Sequence, residues 1–204
     1  KFGISFTLTH LNQAGALVHV YQDGTVQVNH GATEMGQGVH TNIAMVAAKE
    51  LGVTLDKVRV MPTSTDKVRN TSATAASCGT DLNGMAVKNA CEILRARLMP
   101  VALKLVGDEV TRLHLEQNQK LLTSSPTEDD LVFADGFVFH RAAPETKVIF
   151  TQVVQQAYFQ RISLSSTGYY RTPEIHYDRV KGQGRPFLYF AVGAAVTEVE
   201  VDGF

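Results

Sequence analysis

The sequence predicts an α+β domain: a mixed sheet built from hairpins and packed with two or three helices. Three observations point there. Two short runs alternate apolar and polar residues on either side of an Asp-Gly pair. Two longer segments carry apolar residues at helical spacing, each approached through glycines or small hydroxyl residues. Hairpins predominate among the remaining strand-like runs. The chain has 204 residues, 44% apolar and 19% charged, which is enough to bury a core.

The elements follow in order. Lys1–Phe6 (KFGISF) reads as a strand. Gly15–Tyr21 (GALVHVY) and Thr25–His30 (TVQVNH) alternate, and Gln22-Asp23-Gly24 between them is a hairpin signal, because glycine takes the positive φ of a tight turn. Val39–Leu51 has a helical period, with Ile43, Val46, Ala47 and Leu51 on one face and Gly52 as its stop. Lys57–Met61 is a short strand, and Pro62–Ser72 a polar loop. A second helix starts near Thr74–Asp81 and runs through Leu94 and Leu98. Pro100 is expected to end or kink it, with a further helix over Leu103–Glu116.

Asn118–Asp130 reads as a polar surface connection. Leu131–Phe133 and Phe137–Phe139 form a hairpin about Asp135-Gly136. Thr151 is placed to cap a short helix, Gln152–Tyr158. Arg161–Thr167 and Pro186–Val201 supply further strands, joined by a Pro/Gly-rich link over residues 171–185. In the last of these, Thr197, Val199 and Val201 alternate with Glu198 and Glu200. Both ends read as cuts through a larger molecule.

Charge narrows the function. Nineteen basic and twenty acidic residues leave a net charge of -1, so no basic excess exists to neutralise a phosphate backbone, and nucleic acid is an unsuitable partner. Cys78 and Cys91 are too few for a disulfide framework or an iron–sulfur cluster and read as reduced thiols of a cytoplasmic protein. No apolar run has membrane-spanning length, and no membrane partner is expected.

Chemistry concentrates where the chain enters the two helices. Gly31-Ala32-Thr33-Glu34-Met35-Gly36-Gln37-Gly38 leads into the first. Glycines let a ligand approach the backbone, and a helix start presents free N–H groups and partial positive charge. Thr74-Ala75-Ala76-Ser77 leads into the second with small side chains and two hydroxyls. Both turns suit a phosphate or a flat polar heterocycle, and neither matches a dinucleotide fingerprint or a P-loop. A purely structural turn remains the alternative at each. His10, His19, His30 and His40 lack the spacing of a metal site, although His19 and His30 could face each other across the hairpin. Glu34 could act as a base, but a carboxylate at a helix start is the better reading. Cys78 could be reactive near a helix start, while Cys91 reads as buried and inert.

Five ordered segments together resemble the molybdenum-binding part of the xanthine dehydrogenase and aldehyde oxidase family. They are Phe2–Thr7 (FGISFT), Leu11–Gly15 (LNQAG), Gly31–Gly38, Thr74–Ser77, and Leu164–Pro173 (LSSTGYYRTP). The resemblance covers most of 1–101 and 152–202, and implies that 1–204 is part of a molybdopterin-binding domain of a larger subunit with 104–150 as an insertion. Thr33 and the Thr74–Ser77 run are similar to the purine branch. Two positions depart from the pattern: Ala32 stands where a second glycine is usual, and Gly79 where a hydroxyl residue is common.

The resemblance implies a role for each matched residue. Phe6 would wall the purine pocket, Thr7 would hydrogen-bond a purine oxygen, and Leu8 and Leu11 would line the access channel. Met35, Gly36 and Gln37 would hold the pterin and its phosphate. Ala76 would place its backbone beside molybdenum, and Ser77 would contact the cofactor. The implied reaction is hydroxylation of a nitrogen heterocycle, hypoxanthine or xanthine to urate, with electrons passing through 2Fe-2S clusters and FAD to NAD. The catalytic glutamate and arginine, the clusters and the flavin would lie on other parts of the large subunit or on an iron–sulfur/flavin subunit or domain of an oligomer. This chain would therefore carry no catalytic residue and be inactive alone. The other readings are an aldehyde oxidase-type molybdenum hydroxylase and a non-catalytic domain that binds a small anion.

Overall fold

A computed structural model describes residues 2–5, 8–67, 71–75, 77–117, 125–190 and 195–201. Eleven strands and three α-helices appear among them, with strands falling into four sheets. The central sheet has the order β4-β3-β2-β8. Strands β2 (Gln13–Val20) and β3 (Val26–His30) form the expected hairpin, with Gly24 at φ 80° in its turn. Strand β8 (Ser165–Arg171) pairs antiparallel with β2, whereas β4 (Val58–Val60) pairs parallel with β3, so the sheet is mixed.

Helix α1 (Val39–Leu51) has the bounds its period predicts. Ile43, Ala47 and Leu51 recur at one-turn spacing and are buried. It ends on Gly52, at φ 69°, where a Cβ would lie 2.3 Å from the carbonyl carbon of Phe133. That approach joins α1 to the hairpin of β5 (Leu131–Ala134) and β6 (Phe137–His140), which β7 (Ala143–Ile149) extends to three strands.

Helix α2 differs from the expectation. It is one helix of 39 residues, Gly79–Gln117, and it continues through Pro100. Proline costs the bond to the carbonyl four residues back. The flanking residues Leu98, Val101, Ala102 and Val106 are all buried, and that packing carries the helix across the break. Its first half lies on the central sheet through small residues: Gly168 of β8 sits opposite Ala16, and a Cβ on Gly168 would stand 2.0 Å from the carbonyl oxygen of Ala86. Residues of the 104–150 segment, among them Val106, Phe133, Val138 and Val148, belong to the same core.

Three smaller expectations need correction. Helix α3 spans Phe150–Phe159 with Ile149 at its N-cap, and Thr151 instead donates its hydroxyl to the Asp23 carbonyl at 3.3 Å. The Pro/Gly-rich link contains a small hairpin, β9 (His176–Asp178) with β10 (Gln183–Arg185). Strand β11 is Phe187–Phe190, paired antiparallel with β1 (Phe2–Ser5). Residues 195–200 are exposed and lie in no strand, since no strand among the described residues pairs with them.

Candidate functional site

The turn over residues 31–38 is held by its own side chains. Glu34 Oε1 accepts the N–H groups of Gly36 (2.9 Å) and Gly38 (3.0 Å), and Oε2 accepts that of His40 (3.0 Å). The carboxylate thus occupies the start of α1, where N–H groups lack partners and the helix dipole favours negative charge. These bonds, that from His40 foremost, draw the Glu34 pKa down to about 2. Gly36 and Gly38 have φ of 98° and 75° with nothing within 4 Å of where a Cβ would stand, so conformation rather than space requires glycine there. Gln37 Nε2 donates to the Thr33 carbonyl at 2.8 Å, and its Oε1 accepts the Met35 N–H. The expectation of free amides at this turn is therefore corrected: the anion at the start of α1 is the protein's own Glu34.

The second turn leads into α2 at Gly79. Ser77 holds a left-handed conformation, φ 58°, uncommon for a residue with a Cβ. Cys78 is buried and its thiol donates to the Ala75 carbonyl at 2.9 Å, so it is no exposed nucleophile. Burial pushes the Cys91 thiol up to about 12, which makes it inert as read.

Long-range bonds bring the two turns together. The Thr33 N–H donates to Thr74 Oγ1 at 2.8 Å, and the Gly31 N–H donates to Asn83 Oδ1 at 3.1 Å. The Asn83 amide in turn donates to the Gly79 carbonyl at 2.9 Å, and the Thr63 hydroxyl donates to the Ala32 carbonyl at 2.7 Å. The turns face each other across one cleft of about 380 Å³, lined by Met35 and Gln37 on one side and Thr74, Ser77, Gly79 and Thr80 on the other.

Other residues named from the sequence fall elsewhere. Phe6, Thr7 and Ala76 lie outside the described residues. Leu8 is the N-cap and Leu11 the last residue of a 3-10 turn (Thr9–Leu11), and both are exposed. His19 pairs with Gln27 rather than His30, which sits opposite Ala16. His30 is buried instead against His40, with ring centroids 5.0 Å apart. No group of three or more metal-ligating side chains occurs among the described residues. Sequence reasoning missed Asn83, Thr63 and the His30–His40 contact. Asn83 and Thr63 act across 52 and 31 positions, a separation that leaves no local signal.

The model of the Molybdopterin cofactor-binding domain family matches residues 1–204. The chain belongs to this family. The domain is 43% identical over 202 residues to "Xanthine dehydrogenase 1" of Arabidopsis thaliana, 44% to "Xanthine dehydrogenase" of Emericella nidulans and 42% to "Xanthine dehydrogenase/oxidase" of Gallus gallus. Each alignment takes in 99% of the chain, which spans 12% of the length of these relatives. Among solved structures, quinoline 2-oxidoreductase from Pseudomonas putida 86 matches 91% of the domain at a TM-score of 0.65 and 22% identity, covering 25% of that chain. A CO dehydrogenase from Oligotropha carboxidovorans matches 78% at 0.60 and 21%, covering 18% of that chain. Both show the fold.

The cleft fits the family's cofactor, a pterin that carries a phosphate. Its lining includes the hydroxyl residues Thr74, Ser77 and Thr80 and the Gln37 amide, and among the described residues no charged side chain.

Proposed function

We propose that this domain forms part of the molybdopterin and purine pocket of a xanthine dehydrogenase-type enzyme, an oxidoreductase that converts hypoxanthine or xanthine to urate. The observation that carries the reading is the shared cleft: two turns 41 positions apart, joined by the Thr33–Thr74 bond, present neutral hydrogen-bond donors to one volume. The 42–44% identity to xanthine dehydrogenases supports the purine branch.

Each residue then has a task. Met35 and Gln37 bound the pterin on one side, with Gly36 giving the turn its shape. Ala76 and Ser77 would bound it on the other, and the Ala76 backbone would help to hold the metal end of the cofactor. The cofactor, when bound, would supply the redox chemistry. Phe6 stacks on the flat purine, Thr7 hydrogen-bonds its oxygen, and Leu8 and Leu11 line the approach. The general base and a charge-stabilising arginine come from the rest of the large subunit. The 2Fe-2S clusters and FAD that would pass electrons to NAD would be held by another subunit or domain of a cytoplasmic oligomer, and 104–150 would be an insertion in the domain.

The test is to purify the full-length protein and assay molybdenum, pterin, and urate formation from xanthine with NAD. Stoichiometric metal and urate support the reading. Turnover of aldehydes but not purines moves it to the aldehyde oxidase type, and a full-length protein without pterin ends it.

A further inference from the structure

The turn that carries Met35 and Gln37 is bracketed by two histidines, His30 at the end of β3 and His40 in the first turn of α1. Their rings meet edge to face, 77° apart in plane. Nδ1 of His30 accepts the Ala32 N–H at 3.1 Å, so a neutral His30 carries its proton on Nε2. That nitrogen is buried, and so is Nε2 of His40; among the described residues neither has a hydrogen-bond partner. His30 is only 2% exposed, and Asn83 and Thr63, the polar neighbours that hold Gly31 and Ala32, spend their bonds on the backbone. Two orphaned buried nitrogens on touching rings are costly apart and complementary together.

We infer that His30 and His40 are joined, Nε2 to Nε2, through one internal water, and that this link is a clasp that holds the turn bearing Met35 and Gln37 in its cofactor-binding shape. The protons balance. His30 Nε2–H donates to the water, and the water donates to Nε2 of His40, whose own proton sits on Nδ1. Both histidines are positioning residues, acting through the turn and touching no substrate. The glycines at 36 and 38 make the turn pliable, so a tie between its two ends limits the freedom they introduce. This role rests on the cofactor reading above, whereas the link itself does not.

The test uses the full-length protein and separates hydrogen bonding from packing. His40→Leu keeps the bulk and removes the acceptor, and His40→Gln restores an acceptor. Hydrogen exchange of the 31–40 segment is read against that of α2, which reports whether each variant is folded. Pterin release is followed by fluorescence. The clasp predicts that His40→Leu raises exchange over 31–40 and speeds pterin release at least roughly five-fold, while His40→Gln stays within about two-fold of the parent. Equal behaviour of the two variants overturns it. If His40→Leu loses protection in α2 as well, a high-resolution structure of the parent protein decides: an ordered water within hydrogen-bond reach of both Nε2 atoms supports the clasp, and its absence overturns it. A parent protein that carries no pterin ends the functional reading, and the exchange and water measurements still judge the link.

Discussion

The Thr33 N–H donates to Thr74 Oγ1 at 2.8 Å, so the first residue of the Thr-Glu-Met-Gly-Gln-Gly run is tied to the first residue of the Thr-Ala-Ala-Ser run. The bond sets the two walls of the cleft against each other. Thr74→Val removes the acceptor at almost constant volume. The expected cost is about 1 kcal/mol, because the freed N–H is near solvent and can bond water. The full-length variant should lose pterin while keeping its overall fold, and Thr74→Ser should restore both. Unchanged pterin content in Thr74→Val would show that the walls hold their places without the bond.

Two glycines make opposite predictions. At Gly168 a Cβ would meet the Ala86 carbonyl oxygen at 2.0 Å and the Ala90 nitrogen at 2.7 Å, both backbone atoms of α2. Gly168→Ala must push helix and sheet apart, a cost of roughly 1–3 kcal/mol or more. At Gly79 the nearest atoms would be side-chain carbons at 3.7 and 3.8 Å, and φ is not in the left-handed region. Gly79→Ser should leave stability within about 0.5 kcal/mol. Denaturant melts of the two variants should separate clearly.

Glu34 has a folded-state pKa near 2 against an ordinary 4.5. The unfolded chain binds the proton more readily, so the carboxylate's contribution is fully present above about pH 4.5 and is lost as pH falls towards 2. Hydrogen exchange of residues 34–40 should rise over that window in the parent protein. In Glu34→Gln the segment should be looser at neutral pH and show no such titration. A variant that keeps the parent's acid profile would remove Glu34 as its cause.

His30 titrates in a different window. Burial foremost, then the neighbouring His40, lowers its pKa from 6.5 to about 4, with Glu34 acting in the opposite sense. The unfolded state again holds the proton more tightly. Stability from a neutral His30 is complete above pH 6.5 and is lost as pH falls through the range down to about 4, by on the order of a few kcal/mol for a buried ring. His30→Gln should flatten the stability curve between pH 6.5 and 4. A slope in that variant equal to the parent's would assign the effect to another group.

The two thiols offer a check on burial. Cys91 is fully buried with its pKa pushed up to about 12, and Cys78 is 3% exposed with its proton given to Ala75. Neither should react with a thiol reagent at pH 8 in the native state, and both should react in denaturant. Labelling of Cys78 in the native protein would mean that the second turn opens readily.

Local chemistry was legible from the residues alone. The bounds of α1, its glycine stop, the β2–β3 hairpin and the β5–β6 hairpin depend on periodicity and on residues that tolerate positive φ, properties carried within a few positions. The five motif segments also carried the family. Contacts between distant segments were not legible. Packing by Leu98, Val101 and Val106 takes α2 through Pro100, where propensity alone would stop it. Pairing register sends His30 to His40 and leaves His19 beside Gln27. The terminal alternation at 197–201 forms no strand, for want of a partner among the described residues. Glu34 was legible as the carboxylate at the start of α1, and its oxygens accept the N–H groups there, whereas the Thr33–Thr74 bond across 41 positions is a product of the folded chain. A sequence pattern records what one stretch prefers. Which donor meets which acceptor depends on where separate stretches come to rest, and only the tertiary structure decides that.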